Sequence, residues 1–135
     1  MTEMELIGAA AGAMEKAYAP YSGFTVGAAL ETEDGTVYTG CNIENAAYGP
    51  TVCAERVAFF AAVSAGERSF RRIAIVGGPG GEIRSFTWPC GVCRQVMREF
   101  CRDDFKIFAY NGEEIRSAAL SELLPESFSP RDLGK

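Results

Sequence analysis

The apolar residues near the start of the chain recur every three or four positions, which is the spacing of one face of an α-helix. This pattern predicts an amphipathic helix over residues 3–17, followed by a loop at Pro20, Ser22 and Gly23. The apolar positions of the predicted helix are Leu6, Ile7, Ala10, Ala11, Met14 and Ala17.

Two pairs of short apolar segments enclose turn sequences that are typical of β-hairpins. Asp-Gly and Asn-Gly readily adopt the positive φ angles of tight turns, so each pair is predicted to be antiparallel. The first hairpin comprises residues 24–31, the Asp34-Gly35 turn and residues 37–42; the second comprises residues 106–110, the Asn111-Gly112 turn and a short strand near Ile115.

Between the hairpins, the pattern alternates between helices and strands. Strands separated by helices indicate an α/β layered domain, and the hairpins make its sheet mixed. The predicted elements are helices 53–65 and 91–101, a buried strand over residues 72–77, loops over residues 45–50 and 77–81, and a helical turn over residues 120–124.

Length and charge narrow the possible functions. The 135 residues suit one domain, so we expect a single catalytic or binding domain over residues 1–135. The formal net charge is −5, whereas proteins that grip a phosphate backbone carry a basic face. The densest basic cluster, formed by Arg68, Arg71 and Arg72, is predicted to be a solvated junction between a helix and a strand. We therefore expect no nucleic-acid partner.

The sequence shows neither a secretion signal nor a run long enough to span a membrane. We therefore expect a cytoplasmic protein with no membrane partner. In a reducing compartment, its five cysteines are expected to be metal ligands or buried thiols rather than disulfides.

Three cysteines lie where predicted helices begin. Cys53 starts one helix, and Cys90 and Cys93 start another, three residues apart and therefore on one face. The partial positive charge of a helix N-terminus favours a thiolate. Three thiolates with a fourth position left for water are typical of a zinc ion in a catalytic site.

The chain contains no histidine, so any proton transfer requires a carboxylate. Glu55 lies two residues after Cys53 and is the candidate general acid/base. Three thiolates and Zn²⁺ sum to a negative charge, which weakens the metal as a Lewis acid. Arg56 lies three residues after Cys53, and we expect it to donate hydrogen bonds to the cysteine sulfurs and offset that charge.

A structural zinc site is the alternative from another functional class. Cys41 or Cys101 would then complete a closed four-cysteine shell, and the protein would be a binding or structural module. Neither cysteine has a neighbour at ligand spacing, so both are interpreted as semi-buried thiols.

The segments Cys53-Ala54-Glu55 and Pro89-Cys90-Gly91-Val92-Cys93 resemble the zinc-binding motif of the cytidine deaminase family. The resemblance covers nearly the whole chain and is to the short, homotetrameric branch with three cysteine ligands. It extends through residues 18–30 (Tyr-Ala-Pro-Tyr-Ser-Gly-Phe and onward), 40–49 (Gly-Cys-Asn-Ile-Glu-Asn and onward), 90–100 and 123–128.

The resemblance implies a three-layer α-β-α sandwich around a five-stranded mixed sheet. It implies one Zn²⁺ per chain, bound by Cys53, Cys90 and Cys93, with Glu55 as the general acid/base. The implied reaction is hydrolysis of cytidine and 2′-deoxycytidine to uridine and 2′-deoxyuridine with release of ammonia, in pyrimidine salvage.

The resemblance also implies how the substrate binds. Asn42 and Glu44 would hydrogen-bond the ribose; two apart on a strand, their side chains would face the same way. Phe24 would pack against the pyrimidine ring, and the backbone around Ala54 would read the base. In a homotetramer, Tyr48 and Phe128 would reach the active site of a neighbouring subunit.

One residue departs from the family pattern. The position before Pro89 is usually small and polar in the family, but here it is Trp88, which adds bulk near the mouth of the site. Two other substrates stay open: a cytosine-bearing antibiotic such as blasticidin S, and a polynucleotide, which the acidic charge disfavours.

Overall fold

A computed structural model describes all 135 residues of the chain. No helix combines the length and the apolar character needed to cross a bilayer. The elements in chain order are α1 (Glu3–Met14), β1 (Phe24–Thr32), β2 (Val37–Cys41), α2 (Ala54–Ser64), β3 (Phe70–Pro79), α3 (Gly91–Phe100), β4 (Lys106–Tyr110), β5 (Ile115–Ala119), α4 (Leu120–Leu123) and a terminal 3-10 helix (Pro130–Leu133).

The five strands form one sheet in the order β2-β1-β3-β4-β5. β1 pairs antiparallel with both β2 and β3, and β4 pairs antiparallel with β5. Only β3 and β4 are parallel, and α3 lies in the crossover that joins them. The predicted mixed sheet and both predicted hairpins are therefore confirmed.

Helices cover both faces of the sheet, because successive side chains of a buried strand point to opposite sides. On one face, α1 packs Leu6 and Ile7 against a cluster that includes Ala29 of β1. On the other face, Phe59 of α2 and Met97 of α3 pack in a larger cluster. The predicted three-layer α-β-α sandwich is confirmed.

Two glycines allow the helices to approach the sheet closely. A Cβ atom on Gly27 of β1 would lie 2.0 Å from the carbonyl oxygen of Ala10 in α1. A Cβ atom on Gly40 of β2 would lie 2.4 Å from the carbonyl oxygen of Ala54, the first residue of α2. Backbone therefore contacts backbone at both helices, and Gly40 fixes the height of the α2 N-terminus above the sheet.

The first helix is shorter than predicted. It ends at Met14 rather than residue 17, because the chain turns to pair Tyr18 with Ile43. The Tyr18 N–H donates to the carbonyl of Asn42, and the Tyr18 carbonyl accepts from the N–H of Glu44. This bridge holds the segment before β1 against the segment after β2.

The predicted loop at residues 77–81 is wrong in its first half. Gly77, Gly78 and Pro79 continue β3, where they pair with Val26, Thr25 and Phe24 of β1. The glycines are needed for close approach: a Cβ atom on Gly78 would lie 1.7 Å from the carbonyl oxygen of Glu82.

The basic cluster near the start of β3 is not fully solvated, as had been expected. Arg72 pairs with the buried Glu31 across β1 and β3, with 2.6 Å between Nε and Oε1, and its side chain is only 13% exposed. Arg71 points outward, with its side chain 60% exposed. Arg72 therefore forms an internal ion pair, and only part of the basic cluster faces solvent.

Candidate active site

Three cysteine sulfurs meet where α2 and α3 begin. The Cys53 and Cys90 sulfurs lie 3.7 Å apart, the Cys90 and Cys93 sulfurs lie 3.6 Å apart, and all three are within 4.8 Å of one another. A tetrahedral zinc ion with Zn–S bonds of roughly 2.3 Å would hold its sulfurs about 3.8 Å apart. Both the donor set and its spacing therefore fit one zinc ion.

Helix termini position these sulfurs. Cys53 and Cys90 are the N-cap residues of α2 and α3, and Cys93 lies in the first turn of α3. The nearby Cys93 thiol, together with the Arg56 guanidinium that donates to the Cys53 sulfur, lowers the pKa of Cys53 to about 5. A ligand thiolate is thus favoured before any metal binds.

Glu55 lies in the first turn of α2 and is 4% exposed. Burial raises the pKa of this carboxyl group to about 7, and the nearby Cys53 charge adds to the effect. Ala54, beside it, is completely buried. The first turn of α2 therefore places a carboxyl group and free backbone N–H groups at the end of the cysteine cluster.

Arg56 contacts the cluster from α2. Its Nη2 atom donates to the Cys53 sulfur over 3.3 Å, and this bond is the main reason that the pKa of Arg56 is raised. Its Nε atom is buried without a hydrogen-bond partner. A permanent positive charge therefore lies against the cysteine cluster.

A cavity of about 260 Å³ opens onto the cluster. Cys53, Cys90 and Glu55 line it beside the cysteine cluster, which we call its metal end. Asn42 and Glu44 also line it, and Glu44 extends into an adjoining recess that contains no cysteine, so we call this side its far end. The structure thus brings most of the predicted site residues into one cavity. The remaining lining residues are Ser22, Phe24, Val26, Thr51, Val52, Thr87 and Trp88.

Asn42 and Glu44 lie beyond β2, which ends at Cys41, and not on the strand as predicted. Both polar atoms of the Asn42 side chain form hydrogen bonds with the backbone of β1. The oxygen accepts from the Val26 N–H and the nitrogen donates to the Phe24 carbonyl, each over 2.8 Å. The regular pairing of β2 with β1 ends at Cys41. Beyond it, the Asn42 side chain bonds the backbone of β1, and Ile43 pairs with Tyr18 instead.

The Glu44 carboxylate holds the loop before β1. It accepts from the backbone N–H groups of Tyr21 and Ser22, over 3.0 and 3.1 Å, and from the Ser22 hydroxyl. These bonds, led by the Ser22 hydroxyl, lower the pKa of Glu44. Glu44 is thus a fixed anion at the far end of the cavity.

Tyr48 and Phe128 do not line this cavity. Tyr48 is 73% exposed at the edge of an adjoining recess, and its φ of 61° is in the left-handed region. Phe128 is 60% exposed near the C-terminus. Cys41 and Cys101 are free thiols outside the cysteine cluster, so the chain offers no fourth cysteine ligand there.

Sequence reasoning missed Ser22 and Thr87 as site residues. Ser22 links Glu44 to Phe24, since its Oγ atom also accepts from the Phe24 N–H over 3.0 Å. Thr87 packs over Gly77 beside Phe24. The signal for Ser22 was its place between Tyr21 and Gly23, where a hydroxyl often bonds the local backbone; for Thr87, only its position next to Trp88 pointed to the site.

Comparison with known proteins agrees with this geometry. Residues 2–109 match the family model described as the cytidine and deoxycytidylate deaminase zinc-binding region. A cytidine deaminase from Sporosarcina psychrophila is 50% identical over 130 residues, which cover 96% of this chain and 93% of the relative. A blasticidin-S deaminase from Bacillus cereus is 33% identical over 109 residues, covering 77% of this chain and 76% of that protein.

Solved structures give the same result. The crystal structure of cytidine deaminase from Burkholderia pseudomallei has a TM-score of 0.87 and 49% identity, covering 95% of this chain and all of that one. Cytidine deaminase from Mycobacterium tuberculosis has a TM-score of 0.80 and 40% identity, covering 95% of this chain and 98% of that one. With its sandwich fold, its three-cysteine zinc centre and these relatives, the chain belongs to the zinc-dependent cytidine deaminase family.

Proposed function

We propose that the protein hydrolyses cytidine and 2′-deoxycytidine to uridine and 2′-deoxyuridine with release of ammonia. The observation that carries this proposal is the cavity with the cysteines and Glu55 at one end and Asn42 and Glu44 at the other. A base would meet the metal end, and a sugar would meet the polar far end.

Glu55 would move the protons of the reaction. When bound, zinc lowers the pKa of a coordinated water to near neutrality and so supplies a nucleophile for C4 of cytosine. The Glu55 carboxylate takes the proton of the attacking water and gives it to N3, which makes C4 more electron-poor. It then takes the remaining proton of the hydroxyl added at C4 and passes it to the exocyclic nitrogen, so that the C4–O double bond forms, the C4–N bond breaks and ammonia leaves.

The other side chains would bind and orient. Cys53, Cys90 and Cys93 hold the metal, and Arg56 offsets the thiolate charge through its bond to Cys53. Turnover in Arg56→Ala is expected to fall about tenfold or more, as is typical when a residue supporting a metal ligand is lost. Unchanged turnover at full zinc content would rule out this role for Arg56.

The far end would bind the sugar. Asn42 and Glu44 have hydrogen-bonding capacity left for a ribose hydroxyl; if that is the 3′-hydroxyl, both sugars fit. Phe24 packs against the pyrimidine, and the N–H groups around Ala54 read the base edge.

The charge of the lining favours a free nucleoside over a nucleotide or polynucleotide. Neither the cavity nor the adjoining recess, which contains Tyr21, Asn45 and Tyr48, is lined by a lysine or arginine. Glu44 instead places a carboxylate in both. A phosphate bound there would be repelled and left without a cation.

The exposed aromatics favour a homotetramer with shared active sites. Tyr48 and Phe128 are large apolar side chains exposed on the single chain, and a neighbouring subunit would cover them. Mixing Glu55→Gln subunits with Phe128→Ala subunits would restore activity if Phe128 completes a neighbour's site. A sizing column that shows a monomer, or a mixture as inactive as its parts, would contradict this arrangement.

An antibiotic substrate is the second candidate, since a blasticidin-S deaminase is among the relatives. The same cysteines and Glu55 would act on its cytosine, whereas Asn42 and Glu44 favour a nucleoside. The full chain, residues 1–135, is proposed as a single cytoplasmic catalytic domain that serves pyrimidine salvage.

The decisive assay follows the ultraviolet absorbance of cytidine with purified protein and with Glu55→Gln. Wild-type protein is expected to lose the cytosine band, and Glu55→Gln is expected to be inactive with the same one zinc per chain. A zinc-loaded wild type that leaves cytidine intact would contradict the proposal; turnover of blasticidin S in its place would favour the second candidate.

A further inference from the structure

Trp88 is the largest side chain in the cavity and the only tryptophan of the chain. It is half-buried and packs against the core cluster under α2 and α3. Pro89 follows it and is fully buried, and Cys90 comes next. Two features therefore restrain the indole. The core packs against its ring, and the buried Pro89, which precedes the metal ligand Cys90, restrains its backbone.

Two chain segments contribute to the cavity lining around the cysteines. The N-terminus of α2 supplies Cys53 and Glu55, and the segment before α3 supplies Thr87, Trp88 and Cys90. The ring atoms next to C4 of cytosine are N3 and C5. Because Glu55 serves N3 in the proposed reaction, the segment that carries Trp88 is left to face C5.

We propose that Trp88 is a specificity-determining residue that excludes cytosines carrying a bulky substituent at C5. This inference rests on the proposed function, which places C4 at the metal end. A rigid, well-packed indole has little room to move aside, since interiors are densely packed and resist deformation. One added methylene in such a pocket changes discrimination by roughly 10- to 200-fold.

The test compares wild-type protein, Trp88→Ser, Trp88→Phe and Phe86→Ser. Phe86 is the matched control, because it lies two residues away in the same segment, beside Arg116 and outside the cavity. Calorimetry measures the Kd of uridine, 5-methyluridine and 5-ethyluridine, which are products and are not turned over. Initial rates with cytidine and 5-ethylcytidine give the corresponding ratio of rates for the substrates.

In wild-type protein, 5-ethyluridine is expected to bind at least about tenfold more weakly than uridine. Trp88→Ser should remove most of this difference, Trp88→Phe part of it, and Phe86→Ser none. The emission of Trp88 should also change when uridine binds to wild-type or Phe86→Ser protein, with no other tryptophan contributing.

An unchanged ratio in Trp88→Ser would overturn the inference while leaving the deaminase activity intact. If Trp88→Ser does not fold, an unchanged ratio in Trp88→Phe has the same meaning. Uridine binding without any change in Trp88 emission would also overturn it. A zinc-loaded wild type that neither binds uridine nor converts cytidine would instead overturn the proposed function, and this inference with it.

Discussion

Replacing Asn42 by alanine should destabilise the fold as well as weaken substrate binding. The residue is 9% exposed, and its amide makes two 2.8 Å bonds to β1, one to the Val26 N–H and one to the Phe24 carbonyl. Both bonds are partly buried and border the cavity, so each contributes about 0.5–1.5 kcal/mol and the structure predicts a loss of roughly 1–3 kcal/mol. A residue that only reads ribose would lower affinity without this loss.

The assay is urea unfolding at saturating zinc and fixed protein concentration, with KM for cytidine measured in parallel. Asn111→Ala is the matched control. The Asn111 side chain also makes two hydrogen bonds to the backbone, accepting both from the N–H groups of Glu113 and Glu114, but in an exposed turn where water can replace it. Its loss should cost under about 1 kcal/mol.

An Asn42→Ala protein as stable as wild type would refute this reasoning, because the two bonds to β1 would then contribute nothing. If stability falls as predicted, KM should rise too, since the loss also frees the backbone that carries Phe24 into the cavity. Asn42 would then both bind substrate and hold the cavity wall.

Three further outcomes are expected. Gly77→Ala should raise KM severalfold, because the new methyl group would lie 2.9 Å from the Thr87 Oγ1 atom and push the cavity wall inward; an unchanged KM would contradict this. Arg72→Met should cost up to about 3–5 kcal/mol in unfolding free energy, because the buried Glu31 would keep only the exposed Arg71, 3.9 Å away, as a partner; adding Glu31→Leu should recover much of it. Cys101→Ala should keep one zinc per chain by metal analysis, because Cys101 lies outside the ligand cluster; loss of zinc would revive a four-cysteine site.

The elements that sequence predicted well depend on local signals. Both hairpins have turn dipeptides at their tips, and the start of α3 is marked by Pro89 and two cysteines. The cysteine cluster was also within reach, because thiolate chemistry limits what three such residues at helix starts can do. The meeting of Cys53 with Cys90 across 37 residues was expected from residue type and is present in the structure.

The parts that sequence missed depend on distant partners. Gly77 and Gly78 look like a loop, yet they extend β3 because β1 offers backbone groups to pair with. Arg72 looks like a surface charge until the register places it opposite Glu31. The hydrogen bonds of Asn42 likewise depend on which strand passes beside it, and no local pattern contains that information.

Gly40 carries a consequence for how mutations act on this protein. It is buried beneath α2 and is absent from the cavity lining, yet the missing Cβ sets where Cys53 and Glu55 stand. A survey of all substitutions should therefore find position 40 as intolerant as a catalytic position, with zinc affinity and turnover lost together in variants that still fold. The positions of the reacting groups therefore depend on the shape of the sheet backbone. Substitutions that abolish the reaction are not limited to the residues that touch the substrate.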